Sequence, residues 1–112
     1  MSLSDNLDKV AFLTLYPVDK IVKTLTGSFT VGNFVTTSST VSHDLNKMCF
    51  SETLYSIDNV NFYGIGQEIK SGSGSVTVVA EVGQNDATFY ADNYNTGGTK
   101  TIYYRMMLIW PT

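Results

Sequence analysis

The stretch that decides the fold is Ser75-Val76-Thr77-Val78-Val79-Ala80-Glu81-Val82, in which every second residue is aliphatic from Val76 onward. Successive side chains of a strand point to opposite faces, so one face would carry four aliphatic side chains. These are Val76, Val78, Ala80 and Val82. One apolar face and one solvated face are typical of strands in antiparallel sheets.

The composition of the whole chain favours strands in the same way. Fourteen Thr, 11 Val, six Ile, six Phe and seven Tyr stand against only four Ala. β-branched and aromatic side chains suit a pleated, half-buried surface, whereas Ala is the best helix former. The stretch Gly27-Ser28-Phe29-Thr30-Val31 alternates as well, with Phe29 and Val31 on one face.

Turn-forming residues recur between the apolar runs, and they divide the chain into short strands. Gly32-Asn33, Asp58-Asn59 and Asn95-Thr96-Gly97-Gly98 are examples of such turns. The spacing predicts an all-β fold, a single-domain antiparallel β-sandwich. The predicted strands are residues 10–16, 19–24, 27–32, 35–42, 47–56, 60–65, 75–82, 87–92 and 99–110.

Length and charge exclude several classes of protein. The 112 residues form one domain, and a formal net charge of −3 with scattered Lys residues predicts no nucleic-acid partner. The most apolar run, Tyr103 to Trp110, is too short to span a bilayer, so no membrane insertion is expected. Asp5 and Asp8 stand where a secretory signal would carry basic residues, which indicates synthesis in the cytoplasm.

No motif in the sequence predicts an enzyme. The chain has no Gly-x-Ser-x-Gly elbow, no P-loop and no pair of catalytic carboxylates such as a glycan-cleaving enzyme uses. One Cys and one His leave too few ligands for a typical metal site, and no cofactor is expected. We interpret Cys49 as a core thiol.

His43, followed by Asp44, allows two interpretations. Its ring could transfer protons or hold a sugar hydroxyl, or it could lie at a strand end and hydrogen-bond a turn. The second interpretation is favoured, because polar residues at strand ends usually stabilise loops.

Adjacent aromatic residues must point to opposite faces of a strand, as in Phe62-Tyr63, Phe89-Tyr90 and Tyr103-Tyr104. The outward member of each pair would suit a subunit interface or a platform on which a sugar stacks. We therefore expect an oligomer, with the predicted interface residues Leu7, Phe12, Tyr63, Tyr90, Tyr104 and Trp110.

Several stretches together resemble small all-β domains of tailed-phage and prophage virion proteins. They are Asp8–Leu13, Leu15–Val22, Gly27–Val31, Val41-Ser42-His43-Asp44-Leu45, Tyr55–Tyr63, Asn93–Gly97 and Tyr103-Tyr104-Arg105-Met106. Such domains are similar to H-type lectins, antiparallel β-sandwiches that assemble as trimers. The resemblance implies a tail tip, fibre, collar spike or capsid decoration, located in the virion after synthesis in the host cytoplasm.

Two hypotheses for function follow. In the first, the chain is a non-enzymatic virion structural protein that forms a homotrimer. Its N-terminal segment, residues 1–18, includes the first strand and docks to another virion protein, while residues 19–112 form the β-sandwich. In the second, it is a lectin-like module that binds a cell-surface glycan for host attachment. The predicted ligand-binding residues are His43, Asp58, Asn93, Tyr94, Asn95 and Arg105.

Overall fold

The computed structural model describes the backbone of residues 18–111 and the side chains of residues 23–109. Within this range the chain forms eight strands and no helix. The strands are β1 (Val18–Val31), β2 (Val35–Ser42), β3 (Phe50–Ser56), β4 (Tyr63–Gly64), β5 (Glu68–Ser71), β6 (Gly74–Val82), β7 (Asp86–Tyr94) and β8 (Lys100–Pro111).

The strands form two four-stranded sheets. Sheet A has the order β1-β8-β3-β4 and sheet B the order β2-β7-β6-β5, and every pair of neighbours is antiparallel. The turn after Val31 carries the chain from sheet A to sheet B, and the strand orders place β1 and β2 each at an edge of their sheet. The predicted single-domain antiparallel β-sandwich is confirmed.

The core lies between the two sheets and follows the predicted alternation. Val76 and Val78 are fully buried, whereas the next residue, Val79, points outward. The rings of Phe89 and Tyr104 stack with their centroids 4.2 Å apart. Burying one such aliphatic or aromatic side chain contributes roughly 1.5–3 kcal/mol to folding. The buried apolar residues are Val31, Tyr55, Ile69, Val76, Val78, Ala87, Phe89, Ala91, Ile102, Tyr104, Met106 and Leu108.

The predicted strands differ most from the observed ones in three places. The predicted strands 19–24 and 27–32 are one long strand, β1, whose pairing with β8 shifts register twice before Lys23. The predicted strand 60–65 shrinks to Tyr63–Gly64, because a turn occupies the residues before it. Strand β5 was not predicted, since Glu68-Ile69-Lys70-Ser71 contains a single apolar residue. The predicted strand 10–16 lies outside the described residues.

Candidate functional site

The predicted ligand-binding residues do not form one site. His43 lies at the end of sheet B where β6 turns into β7, and Tyr94 and Asn95 lie at the opposite end of β7. The nine residues of β7 separate those ends by roughly 25–30 Å at the usual rise per residue. Arg105 projects from the outer face of sheet A, so the set divides among three regions.

His43 is buried and used structurally. Its Nε2 is 2.9 Å from the carbonyl oxygen of Gly83, and the amide of Leu45 donates to Nδ1 at 3.2 Å. Because Nδ1 accepts, the ring hydrogen belongs on Nε2, which donates it to Gly83. The backbone of His43 is also held, since Lys23 Nζ donates to its carbonyl oxygen at 2.7 Å. The ring therefore hydrogen-bonds a turn, and no ring nitrogen is left for a ligand.

Asn93 is likewise fully buried, which corrects its prediction as a ligand-binding residue. Its amide nitrogen donates to the carbonyl oxygens of Val31, at 3.1 Å, and Gly98, at 2.9 Å. The hydroxyl of Thr96 donates to its Oδ1 at 2.5 Å. Asn93 thus ties the end of β1 to the turn between β7 and β8.

An exposed pair of aromatic rings, Phe34 and Tyr94, lies at this same end of the sandwich. Their ring centroids are 5.5 Å apart at an interplanar angle of 88°, an edge-to-face contact. Phe34 is 63% exposed and Tyr94 59% exposed. Phe34 has a φ of 60° in a turn that the Val35 amide closes onto the Gly32 carbonyl oxygen. Phe34 was not predicted, although the preceding Gly32-Asn33 marked the turn.

Arg105 lies in a cleft on the outer face of sheet A. Its guanidinium carbon is 4.2 Å from the centroid of the Phe62 ring, at cation–π distance. The cleft has a volume of about 410 Å³. The residues that line this Arg105 cleft are Thr26, Gly27, Ser28, Asn59, Phe62, Tyr103, Tyr104 and Arg105.

Asp58 does not line the Arg105 cleft but holds the turn beside it. Its carboxylate accepts hydrogen bonds from the amides of Val60 and Asn61, both at 2.8 Å, and from the hydroxyl of Ser56. The amides of Asn61 and Val60 donating to it hold the pKa of Asp58 well below its usual range. Asp58 therefore stabilises the turn that contains Asn59 and precedes Phe62.

The predicted interface residues also lie in different environments. Tyr104 is buried against Phe89, and Tyr63 is half-buried against the core, so neither is an outward aromatic side chain. The prediction is wrong for Tyr104, because its ring packs between the two sheets, while Tyr103 lies on the outer face. Tyr90 is exposed as predicted. Leu7, Phe12 and the Trp110 side chain lie outside the described residues.

Cys49 is half-buried and packs against the core. Burial raises the pKa of its thiol, with the Lys47 charge as a smaller opposing effect. Among the described residues there is no cluster of three or more His, Cys, Asp or Glu side chains that could hold a metal ion. In that same part of the chain no helix is long and apolar enough to cross a membrane.

Comparison of the chain with protein-family models, with curated proteins and with solved structures found no match. The fold therefore rests on the structure itself, and the resemblance to phage virion domains stays a prediction.

Proposed function

We propose that the chain is a non-enzymatic structural module of a phage virion, a homotrimeric appendage or decoration of the tail or capsid. The observation that carries the assembly is an apolar pair on the outer face of sheet B. Val79 and Tyr90 lie directly opposite each other in the β6–β7 ladder, 48% and 39% exposed.

The residue types of this pair are typical of subunit interfaces. Aromatic residues are enriched where subunits meet, because a large ring buries much area and keeps its hydroxyl for a polar contact. The hydroxyl of Tyr90 donates to Glu81 at 3.3 Å, which orients the ring along the sheet. The β6–β7 ladder runs from Ser75 to Val82 without a register shift, so the face is preorganised for a partner.

The virion setting is supported by the family resemblance and by the composition. Charged residues make up only 15% of the chain, which leaves a surface that other proteins can cover at a low desolvation cost. In this proposal the sandwich is made in the host cytoplasm. Residues 1–18 dock it to another virion protein.

The molar mass of the full chain in solution tests the assembly. Light scattering at low micromolar concentration is expected to give three times the 12.3 kDa of one chain. Val79→Glu should reduce the mass to that of a monomer, because a carboxylate would be buried without a partner. Thr24→Glu, an exposed change on sheet A, is the matched control and should leave the trimer intact. A monomeric wild type, or a trimer that survives Val79→Glu, contradicts the proposal.

Incorporation into particles tests the docking segment. Deletion of residues 2–9 should reduce the amount of this chain found by mass spectrometry in purified particles. The purified deletion variant should have the same circular dichroism spectrum as the wild type. Unchanged incorporation would rule out this segment as the docking element.

A second candidate function is attachment to a host glycan, and the exposed Phe34–Tyr94 pair favours it. The two rings are exposed to solvent and offer apolar faces to a sugar, and the amides of Asn33 and Asn95, their neighbours in the chain, offer hydrogen bonds. Tyr94→Ala should abolish binding to host cells without changing the molar mass. Retained binding would exclude the aromatic pair as the attachment site.

A further inference from the structure

We propose that the Arg105 cleft binds an oxyanion group of an acidic saccharide, with the guanidinium of Arg105 as the anion contact. This inference rests on the second candidate function, glycan attachment. It assigns that function a ligand charge and a second binding site, in addition to the Phe34–Tyr94 pair.

The backbone that carries Arg105 is held by a neighbouring strand on each side. Arg105 lies on β8, which is hydrogen-bonded to β1 on one side and to β3 on the other. Its direct neighbours in the two ladders are Thr26 and Leu54, and its side chain shares their outward face. A contact residue on a central strand is held more precisely than one on a loop.

The guanidinium is oriented but has no anionic partner among the described residues. Phe62 covers one face of the group, and the N–H donors lie in the guanidinium plane, where that contact does not use them. The ion pair within the described part of the chain joins Lys70 to Glu68 instead. The nearby carboxylate of Asp58 accepts its hydrogen bonds from its own turn.

A planar guanidinium fork matches the two oxygens of a carboxylate or a sulfate ester, and such charge-assisted bonds are among the strongest polar contacts. Arg105 is the one charged side chain among the described residues that line the cleft. A single positive charge suits a ligand with one negative charge better than a polyanion.

The rest of the lining fits a sugar ring. Thr26 and Ser28 lie opposite Arg105 and Tyr103 in the β1–β8 ladder, so their hydroxyls face the cleft from the same side. Asn59 adds an amide with both donors and acceptors. Phe62 and Tyr103 supply apolar rings. The volume of about 410 Å³ lies within the range of roughly 300–1,000 Å³ that is typical of small-molecule sites.

Titration of the full-length protein with four small ligands, followed by NMR, tests the assignment. The ligands are glucuronate, glucose, glucose 6-sulfate and inorganic phosphate. Glucuronate or glucose 6-sulfate should bind, perturb the Arg105 side-chain resonance and weaken with added salt, and the tighter of the two identifies the oxyanion. Glucose should bind at least about tenfold more weakly, since a charged hydrogen bond is missing.

Variants at Arg105 separate the charge from the geometry. Arg105→Gln should weaken glucuronate binding about 10- to 100-fold, and Arg105→Lys should fall between it and the wild type, because it keeps the charge without the fork. Lys100→Gln removes a positive charge from the same strand and is the matched control, with no expected effect.

Three outcomes of the titrations would overturn the inference. They are equal binding of glucose and glucuronate, binding of inorganic phosphate as tight as that of the sugars, and glucuronate affinity unchanged in Arg105→Gln. If Arg105→Gln keeps host-cell binding while Tyr94→Ala loses it, glycan attachment stands and the cleft is excluded. Loss of cell binding in both variants, with the molar mass intact, supports the cleft.

Discussion

Gly27 and Tyr104 lie directly opposite each other in the β1–β8 ladder, and the phenol ring of Tyr104 fills the space beside Gly27. A Cβ atom on residue 27 would lie 2.5 Å from the Tyr104 hydroxyl oxygen and 2.9 Å from its Cζ. The ring has little freedom to move away, because it stacks on Phe89 and contacts Phe29. Gly27 is therefore required by the packing of a neighbouring ring.

Gly27→Ala should lower the free energy of unfolding by about 1–3 kcal/mol, the usual cost of an extra methyl group in a packed region. Urea unfolding followed by fluorescence measures it. Gly98→Ala is the control, since a Cβ there meets no atom within 4 Å. Equal stability of the two variants would show that the Tyr104 ring adjusts freely.

Asn93→Ala should destabilise the fold by about 2–3 kcal/mol, because the carbonyl oxygens of Val31 and Gly98 lose their buried donor. Asn95 lies in the adjacent turn with a φ of 55°. Asn95→Ala is the comparison variant, because the Asn95 side chain is not part of the Asn93 hydrogen-bond network. It should cost less, about 1 kcal/mol of backbone strain. If the two variants unfold at the same urea concentration, the Asn93 network contributes little.

Tyr55 is expected to lower the free energy of unfolding at alkaline pH. Burial raises its pKa to about 12, and its hydroxyl donates to the carbonyl oxygens of Gln67 and Val76. In the unfolded chain the tyrosine phenol ionises near pH 10. Between pH 10 and 12, ionisation of this phenol stabilises only the unfolded state. The contribution of Tyr55 to the free energy of unfolding is therefore complete below pH 10 and declines as pH rises.

Tyr55→Phe should therefore flatten the fall in stability between pH 10 and 12 and lower stability by about 1–2 kcal/mol at neutral pH. The free energy of unfolding, measured from pH 7 to 12, checks both effects. An alkaline slope as steep as that of the wild type would assign the effect to other tyrosines.

Asp58 acts at the acidic end of the pH range. Its folded-state pKa lies below the value of about 3.9 in an unfolded chain, so its contribution is present above that pH and is lost as pH falls. Asp58→Asn should flatten the decline in stability below pH 4, as measured by thermal unfolding from pH 6 to 2.5. A decline in Asp58→Asn as steep as that of the wild type would contradict this assignment.

Phe34→Gly should change stability by less than about 1 kcal/mol, although it removes an aromatic ring. Glycine relieves a positive φ that costs about 1–2 kcal/mol. The lost contact with Tyr94 is worth about 0.5–1.5 kcal/mol. Phe89→Ala, in the core, should cost about 3–5 kcal/mol. A large loss in Phe34→Gly would show that the exposed ring stabilises the fold.

Local patterns in the sequence were sufficient to predict much of the fold. Alternation from Val76 to Val82 identified a half-buried strand and the face that is apolar, and residues 35–42 form β2 with the predicted bounds. Such patterns follow from backbone geometry over a few residues, so they can be recognised from the order of apolar and polar residues alone.

The sites could not be predicted in this way, because their partners are distant in the chain. Nothing near Asn93 in the sequence shows that its amide meets Val31, 62 residues away, and the partner of His43, Gly83, lies 40 residues away. A buried polar residue and an exposed ligand-binding residue look the same until their partners are known.

The sequence by itself determined the all-β class, the alternation of faces and the positions of most turns, since each depends on local stereochemistry. Only the tertiary structure decided which side chain is buried where two adjacent residues are both aromatic. Tyr103 and Tyr104 had to point in opposite directions, but the packing of sheet B through Phe89 placed Tyr104 inside. The Arg105 cleft also depends on the tertiary structure, because strand pairing and the turn near Phe62 bring three separate segments together.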